Sequence, residues 1–222
     1  KWDFGASFSN DFSVQVDKGI AKQLKASQKQ VLTLRVWNNK NLVGITTTSD
    51  LSENGLKKAL YQANLASDYG NKNELTDFSP LAKDPIEKIK VVKRSPSGIK
   101  KLLEKLRIAE NELLKKHSAI KTIPYNGLSE SFFKRIYANS DGAQRSYEKS
   151  QAAIYLYARA EENNRKPRSS GSVKIGYGLE DIDINSCIDE AAEKTISHLN
   201  YSAIETGKYK ICFSPESFLT LI

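Results

Sequence analysis

The feature that most constrains the fold is a helical apolar repeat that stands between two stretches with the period of β-strands. Apolar residues recur at three- and four-residue spacing from Ile99 to Leu114. Before this repeat, apolar and polar residues alternate over Phe12–Val16, and after it aliphatic and aromatic residues alternate over Ile154–Ala158. The first period places side chains on one face of a helix, and the second places them on opposite faces of a strand. We therefore predict an α+β fold with antiparallel sheets and packed helices.

The first fifty residues predict three or four antiparallel strands, and a helix follows them. Gly19 favours one turn, and the run Asn38–Asn41 favours another because asparagine tolerates the left-handed backbone. Ser52 is a good N-terminal cap for the helix, which we expect to end between Ser67 and Gly70.

A second antiparallel region is predicted after the central helix. Ser131–Ala138 is expected to be a strand, Asn139–Gly142 a hairpin turn that ends in an Asp-Gly pair, and Ala143–Ala160 one or two return strands. The stretch Glu161–Gly178 is polar and rich in glycine and serine, which is typical of a flexible loop.

The last part of the chain predicts a helix, a short strand and the beginning of another helix. Asp183 or Asn185 caps the first of these helices, and Tyr209–Phe213 has the alternation of a strand. Ser214 followed by Pro215 favours a helix start, since proline suits the first helical position. We expect the fold to continue beyond Ile222, because the apolar stripe of this helix has only begun there.

Four parts are predicted along the chain. A unit of β-sheet and helix occupies residues 1–70, and a connection that holds three of the six prolines occupies residues 71–98. A helix, a second antiparallel sheet and a further helix occupy residues 99–205. The start of a missing C-terminal domain occupies residues 206–222.

Composition narrows the class of protein. The chain has 34 basic and 26 acidic residues, a formal net charge of +8, but acids are interspersed with the bases, which argues against a nucleic-acid surface. No apolar run approaches the roughly 20 residues of a membrane-spanning helix. Two cysteines without metal or disulfide spacing, and no signal peptide, favour a cytoplasmic location. The absence of methionine and the start at Lys1 suggest an internal piece of a longer protein, or methionines left out of the sequence.

Several strings, in order over nearly the whole chain, resemble the TldD/PmbA family, whose bacterial and archaeal members are named both modulators of DNA gyrase and metallopeptidases. The strings are Leu34–Val36, Gly44–Ser52, Ala138–Gly142, Ala191–Glu193 and Thr206–Glu216. The resemblance covers the N-terminal half of such proteins. It implies an N-terminal α+β domain, a β-rich C-terminal domain and a dimer.

The resemblance also implies an activity and its cofactor. A TldD-like and a PmbA-like subunit pair into a zinc protease that acts on unfolded peptides, and the TldD-like subunit carries an HExxxH-type motif. Neither His117 nor His198 has a second histidine within one helical turn, so neither meets the zinc motif. The string Ser214–Ile222 resembles the PmbA-like, or TldE-like, subunit, whose matching helix carries no zinc ligands. We assign no catalytic, metal-binding or cofactor-binding residue here, and expect zinc only in the full-length protein or in its partner subunit.

Two groups of side chains near the last long helix invite a metal-binding interpretation. His198 shares no helix face at three- or four-residue spacing with Asp189 and Glu193, so a surface histidine is the better interpretation. His117 is most simply a helix-end residue. The run Glu180–Asp183 lacks the glycine and the distal glutamate of a calcium loop, so we expect it to cap the following helix.

Cysteines and glycines also have structural interpretations. Cys187 and Cys212 are expected in the core, one on a helix face and one in a strand, and neither has a histidine at a motif-like distance. Gly171, Gly176 and Gly178 lack the preceding strand and the Lys-Ser/Thr pair of a phosphate loop. They fit a surface loop, which we hypothesise covers a peptide-binding cleft.

Two further stretches bear on binding. Eight basic residues and one acid, Glu104, lie between Lys88 and Arg107, but aromatic residues that stack on bases are absent there. The aromatic residues from Phe132 to Tyr157 are expected in the core of a sheet, although an exposed row would dock an extended peptide as an added strand.

Three functions follow. The first is membership of a cytoplasmic metallopeptidase system that processes unfolded peptides, as a homodimer or as a heterodimer with a TldD-like subunit. The second is a non-catalytic subunit that captures peptide or supports assembly. The third is a DNA- or gyrase-associated binding protein, which the composition disfavours. A membrane partner is not expected.

Overall fold

A six-stranded antiparallel sheet forms the centre of the protein, with the strand order β3-β2-β1-β4-β5-β6. The structure is a computed structural model that describes residues 1–70, 77–85, 91–219 and 221–222. The strands are Trp2–Asp17 (β1), Ile20–Trp37 (β2), Val43–Thr48 (β3), Ile120–Asn139 (β4), Gln144–Ala160 (β5) and Arg168–Gly176 (β6). The helices are Glu53–Ser67 (α1), Ile99–Lys115 (α2), Ile184–Ser197 (α3) and Pro215–Leu219 (α4). None of these described helices combines the length and the apolar character needed to cross a bilayer.

The turns form where the sequence predicts them. Lys18 and Gly19 join β1 to β2 with positive φ angles of 52° and 75°, which glycine adopts freely. The Asn38 side chain accepts hydrogen bonds from two backbone N–H groups of its own loop, and Asn41 has a φ of 59°. Asn139 closes the β4–β5 hairpin in the same way.

The helices also begin at the predicted residues. The Ser52 hydroxyl accepts a hydrogen bond from the N–H of Gly55 at 3.1 Å, and the Asp183 carboxylate accepts one from Ser186 at 2.9 Å. These bonds satisfy backbone donors that a helix start leaves free. α4 follows Ser214 as expected.

All three long helices pack on one face of the sheet. Strand register places Val14, Leu128 and Ile154 in one row, and these residues share a buried core with α2 and α3. α1 covers the same face at β3, where a Cβ on Gly44 would collide with the backbone of Ala63. We call this the helix face and the opposite side of the sheet the open face. The predicted α+β class with antiparallel strands and packed helices is confirmed.

Strands from the two predicted β regions belong to a single sheet. β1 pairs with β4 without interruption from Asp3 to Val14. The segment 77–85 lies against the open face, where Phe78 meets Trp37 edge to face at 5.7 Å. The segment 91–98 lies on the helix face, where Ser150 donates to the carbonyl of Val92. The predicted division of the chain into four parts stays a prediction.

The prediction of a flexible loop over Glu161–Gly178 was wrong for its second half, which forms β6. β6 pairs with β5 from Arg168 to Gly176. A Cβ on Gly171 would collide with the Leu156 carbonyl and the Tyr157 side chain. Gly171 is therefore explained by the close approach of β5, which leaves no room for a side chain, and it does not indicate flexibility here.

The prediction of a strand over Tyr209–Phe213 was also wrong. These residues have no strand partner among the described parts of the chain, and Tyr209, Ile211 and Phe213 are all exposed. Alternation alone does not make a strand, because a strand needs a neighbour to satisfy its backbone. Cys212 lies exposed in this segment, so its expected place in the core was wrong.

Candidate functional site

Aromatic and aliphatic side chains form an exposed patch on the open face at β4, β5 and β6. Strand register places Tyr125 beside Tyr157, and Tyr155 beside Val173, with Ile175 one row further along. We call these five residues the tyrosine patch. Tyr125 and Ile175 are its most exposed members, at 71% and 65%. On the other side of β5, alternate residues are fully buried under the helices. The expectation that the aromatic residues from Phe132 to Tyr157 lie in a sheet core was therefore wrong for Tyr147 and Tyr157, which are exposed, and the alternative of an exposed row describes this surface.

The other end of the open face is closed by a buried polar network. Asp3 is 2% exposed and accepts two hydrogen bonds from the guanidinium of Arg35, one of them at 2.8 Å. Tyr137 donates to the same carboxylate at 3.3 Å. The hydrogen bond with Asp3 raises the pKa of Arg35 above its ordinary value. Because the segment 77–85 also lies at this end, the accessible part of the face is the tyrosine patch and the surface beside it.

Two buried carboxylates on the helix face were not singled out from the sequence. Glu110 accepts hydrogen bonds from the N–H groups of Lys18 and Gly19 at 3.1 and 2.6 Å. Glu130 accepts from Ser97 and from the N–H of Leu179. Each interrupts an apolar pattern, and that interruption was the available signal. Their partners are backbone N–H groups and the Ser97 hydroxyl, so both carboxylates hold loops in place.

Among the described residues, neither histidine joins a group that could hold a metal ion. The Nδ1 atom of His117 accepts a hydrogen bond from the N–H of Ala119 at 3.0 Å, directly after α2. His198 is an exposed residue at the C-terminal end of α3. Asp189 forms an ion pair with Lys116 at 2.5 Å. Within the described residues, no three His, Cys, Asp or Glu side chains are placed to hold a metal ion, so this donor set does not fit zinc.

The carboxylates of Glu180–Asp183 are divided among three partners. Asp183 caps α3 as predicted, while Glu180 pairs with Lys101. Asp181 accepts two hydrogen bonds from Arg94, at 2.9 and 2.8 Å. The bonds from these bases lower the pKa values of Glu180 and Asp181.

The same pairs neutralise part of the basic stretch between Lys88 and Arg107. Lys93 pairs with Glu148, whose pKa the pairing lowers, in addition to the two pairs just described. Lys88 and Lys90 lie outside the described residues. The described part of this stretch is therefore a partly neutralised contact between α2, the sheet and the loop before α3.

Cys187 is fully buried, as the sequence predicts. Its Sγ atom lies 3.5 Å from the carbonyl oxygen of Ser172, and burial raises the pKa of the thiol. A buried thiol whose pKa is raised is a poor nucleophile at neutral pH. This cysteine packs α3 against β6.

Residues 79–199 match the protein-family model described as the PmbA/TldA metallopeptidase central domain, which covers more than half of the chain. The chain belongs to the TldD/PmbA family. The matched range contains α2, β4, β5, β6 and α3. The family domain therefore includes the tyrosine patch on the open face and the helices α2 and α3 on the helix face. No curated protein matches the chain.

Solved structures share this fold. A proposed modulator of a DNA gyrase from Thermotoga maritima has a TM-score of 0.76 at 17% identity over 93% of this chain and 46% of its own. TldE from Thermococcus kodakarensis has a TM-score of 0.73 at 16% identity, with 88% of this chain and 44% of its own covered. A proposed modulator of DNA gyrase from Bacteroides thetaiotaomicron has a TM-score of 0.76 at 13% identity, with 94% and 48% covered. This chain thus spans about half of each of these TldD/PmbA-like structures.

Proposed function

We propose that this chain is part of the PmbA-like, or TldE-like, subunit of a cytoplasmic metallopeptidase system that processes unfolded peptides. The observation that carries the proposal is the match of residues 79–199 to the central domain of a metallopeptidase family. The similarity in fold to a protein named TldE supports the choice of subunit.

In this proposal the chain contributes surface and the chemistry lies elsewhere. The donors among the described residues do not fit zinc, so no step of peptide cleavage is assigned to them. The tyrosine patch on the open face offers rigid, amphipathic side chains to a peptide. Zinc would belong to the remainder of the protein or to a TldD-like partner in a heterodimer.

The test uses the full-length protein, alone and mixed with a TldD-like partner. Zinc content is measured by mass spectrometry, and cleavage of an unfolded peptide is followed with and without a chelator. We expect no stoichiometric zinc and no cleavage by the protein alone, and chelator-sensitive cleavage after mixing. A partner whose zinc ligands have been replaced is the matched control and should leave the mixture inactive.

Two other outcomes would contradict the proposal. Stoichiometric zinc and chelator-sensitive cleavage by the protein alone would make it the catalytic subunit. Inactivity both alone and with the partner would favour the second function, a peptide-binding or assembly subunit, for which the tyrosine patch is the supporting observation. A DNA-associated role has weaker support, because Lys93, Arg94 and Lys101 are already paired with carboxylates.

A further inference from the structure

Half of β2 lies at an open edge of the sheet. β3 pairs with β2 only from Leu32 to Trp37, whereas β1 pairs with β2 along its whole length. An extra residue in β2, Lys22, interrupts the register near the hairpin, and from Gln23 to Val31 the strand is regular. At about 3.3 Å per residue this edge is roughly 30 Å long. On its outer side the strand presents backbone N–H and C=O groups that no described strand satisfies.

Several devices that usually protect an edge are missing here. Protected edges are short, bulged, covered, or interrupted by proline, or they carry charges. The stretch Gln23–Val31 is long and regular and contains no proline, and charge is the one protection it has. Its charged residues are Lys25 and Lys29, four residues apart and therefore on the same face of the strand. Leu24, on the opposite face, is 51% exposed.

The surface beside this edge has room for another chain. A groove of about 640 Å³ lies where β3 ends, lined by Gln28, Lys29, Gln30, Val31 and Ser49. A second hollow, of about 250 Å³, adjoins it on the open face. Lys25 and Lys29 both line it, together with the serines Ser13, Ser27, Ser129 and Ser131 and with Asp11, Phe12 and Glu130. A strand placed along the edge would continue the line of β3 and bring its side chains over both spaces.

Charge indicates which chain fits. Among the described residues no carboxylate forms an ion pair with Lys22, Lys25 or Lys29, whereas Lys93 and Lys101 are paired with glutamates. The edge from Ile20 to Val31 contains no acidic residue. A second copy of the same edge would bring lysines against lysines, which disfavours self-pairing. An extended segment with acidic side chains would meet complementary charge instead.

We propose that the edge Gln23–Val31 is the docking strand for an extended, acidic polypeptide segment. The segment adds to the sheet as a new strand in line with β3, and its backbone bonds to the outer side of β2. Carboxylates four residues apart along the segment reach Lys25 and Lys29. This inference rests on the open edge and its charge, and it requires no peptidase activity from the protein.

The test measures binding of fluorescent nine-residue peptides to the full-length protein by anisotropy at low salt. The first peptide alternates valine and threonine with two glutamates four residues apart. Its first twin has lysines in place of the glutamates, and its second twin has N-methylated backbone nitrogens along one edge. The protein variants are K25E/K29E and, as a control with the same change in charge, K208E/K210E in the exposed C-terminal segment.

We expect saturable binding of the acidic peptide, and binding about tenfold weaker or more for both twins and for K25E/K29E. K208E/K210E should bind as the unmodified protein does, and K25E/K29E should instead bind the lysine peptide.

No binding of the acidic peptide at millimolar concentration would overturn the proposal. Equal binding of the N-methylated twin would also overturn it, because binding would not then involve the strand edge. A dimer that forms in sedimentation and excludes the peptide would overturn the proposal as well, because two copies of this edge would then pair with each other. The binding assay contains no partner subunit and measures no cleavage. A failure of peptide binding therefore does not contradict the peptidase proposal, and a failure of the peptidase proposal does not contradict peptide binding.

Discussion

At the scale of single residues, buried carboxylates decide how the loops attach to the sheet. Glu130 is 4% exposed on the helix face of β4. It accepts hydrogen bonds from the N–H and the hydroxyl of Ser97 at 2.6 and 3.2 Å, and from the N–H of Leu179 at 3.1 Å. One side chain thus holds the approach to α2 and the loop before α3. A buried acceptor with three donors is costly to remove, because the donors are then left without partners.

We predict that Glu130→Ala lowers the free energy of unfolding by about 3 kcal/mol, since the buried N–H of Leu179 loses its acceptor. Glu130→Gln keeps one acceptor oxygen and should lower it by about half as much. Denaturant unfolding followed by circular dichroism measures both variants.

Glu112→Ala is the control for these variants. Glu112 is exposed on α2 and pairs with Lys115 at 3.4 Å, so its removal should change the free energy of unfolding by less than about 0.5 kcal/mol. Equal effects of Glu130→Ala and Glu112→Ala would show that Glu130 does not anchor the loops.

At the scale of elements, side-chain contacts join α3 to β6. Glu190 of α3 accepts hydrogen bonds from Lys174 and from the Ser172 hydroxyl of β6, the latter at 2.8 Å. The Thr195 hydroxyl donates to the carbonyl of Ser170 in the same strand. These contacts add to the backbone pairing of β6 with β5, and together they order a segment whose composition is typical of a loop. The sequence did not indicate this, because both the pairing and the contacts depend on the packing of separate elements.

The contacts between α3 and β6 predict a dependence of stability on pH. Hydrogen bonds from Lys174 and then Ser172 lower the pKa of Glu190 below its ordinary value of 4.5. A group whose pKa is lowered by folding stabilises the protein above its unfolded-state pKa, and this contribution is lost as the pH falls through the lower folded-state value. Glu190→Gln should therefore reduce the melting temperature by roughly 1–2 °C near neutral pH, and the difference should shrink as the pH falls through the lowered pKa of Glu190.

Thermal melts from about pH 7 to pH 3 test this prediction. Glu193→Gln, which removes a carboxylate at an exposed position of the same helix, is the matched control. A constant difference between Glu190→Gln and the unmodified protein across the range would mean that the ionisation of Glu190 does not contribute to stability.

At the scale of the whole molecule, the pairing of β1 with β4 joins the predicted first unit to the family domain. The two strands pair over twelve positions, from Asp3 to Val14. Val14 and Val16 of β1 belong to the same core as α2 and α3. Without β1, β4 would be an exposed edge strand, and the core would lose Val14 and Val16.

We predict that residues 1–79 and 80–222, co-expressed as separate chains, purify as a one-to-one complex. The reason is that backbone pairing and core packing join them across the break. Size-exclusion chromatography with a tag on one chain measures this. Ser7→Pro, in the middle of β1, removes a backbone donor from the sheet and should abolish co-purification. Two folded monomers that do not associate would instead support the predicted boundary at residues 71–98 as a division between independent domains.

Local features were set by the sequence itself. The Lys18–Gly19 turn, the caps at Ser52 and Asp183, and the stripe of α2 depend on residues within a few positions of one another, so their patterns are visible in the chain. The resemblance to the TldD/PmbA family was readable for a related reason, since short ordered strings carried it.

The tertiary structure alone decided which of these elements share a sheet, and which charges remain free. Arg94 meets Asp181 across 87 residues, and Glu130 meets Leu179 across 49. The same folding leaves Lys25 and Lys29 on an edge without acidic partners among the described residues. Contacts between residues so distant in the chain depend on the packing of the whole fold, and no local pattern contains them.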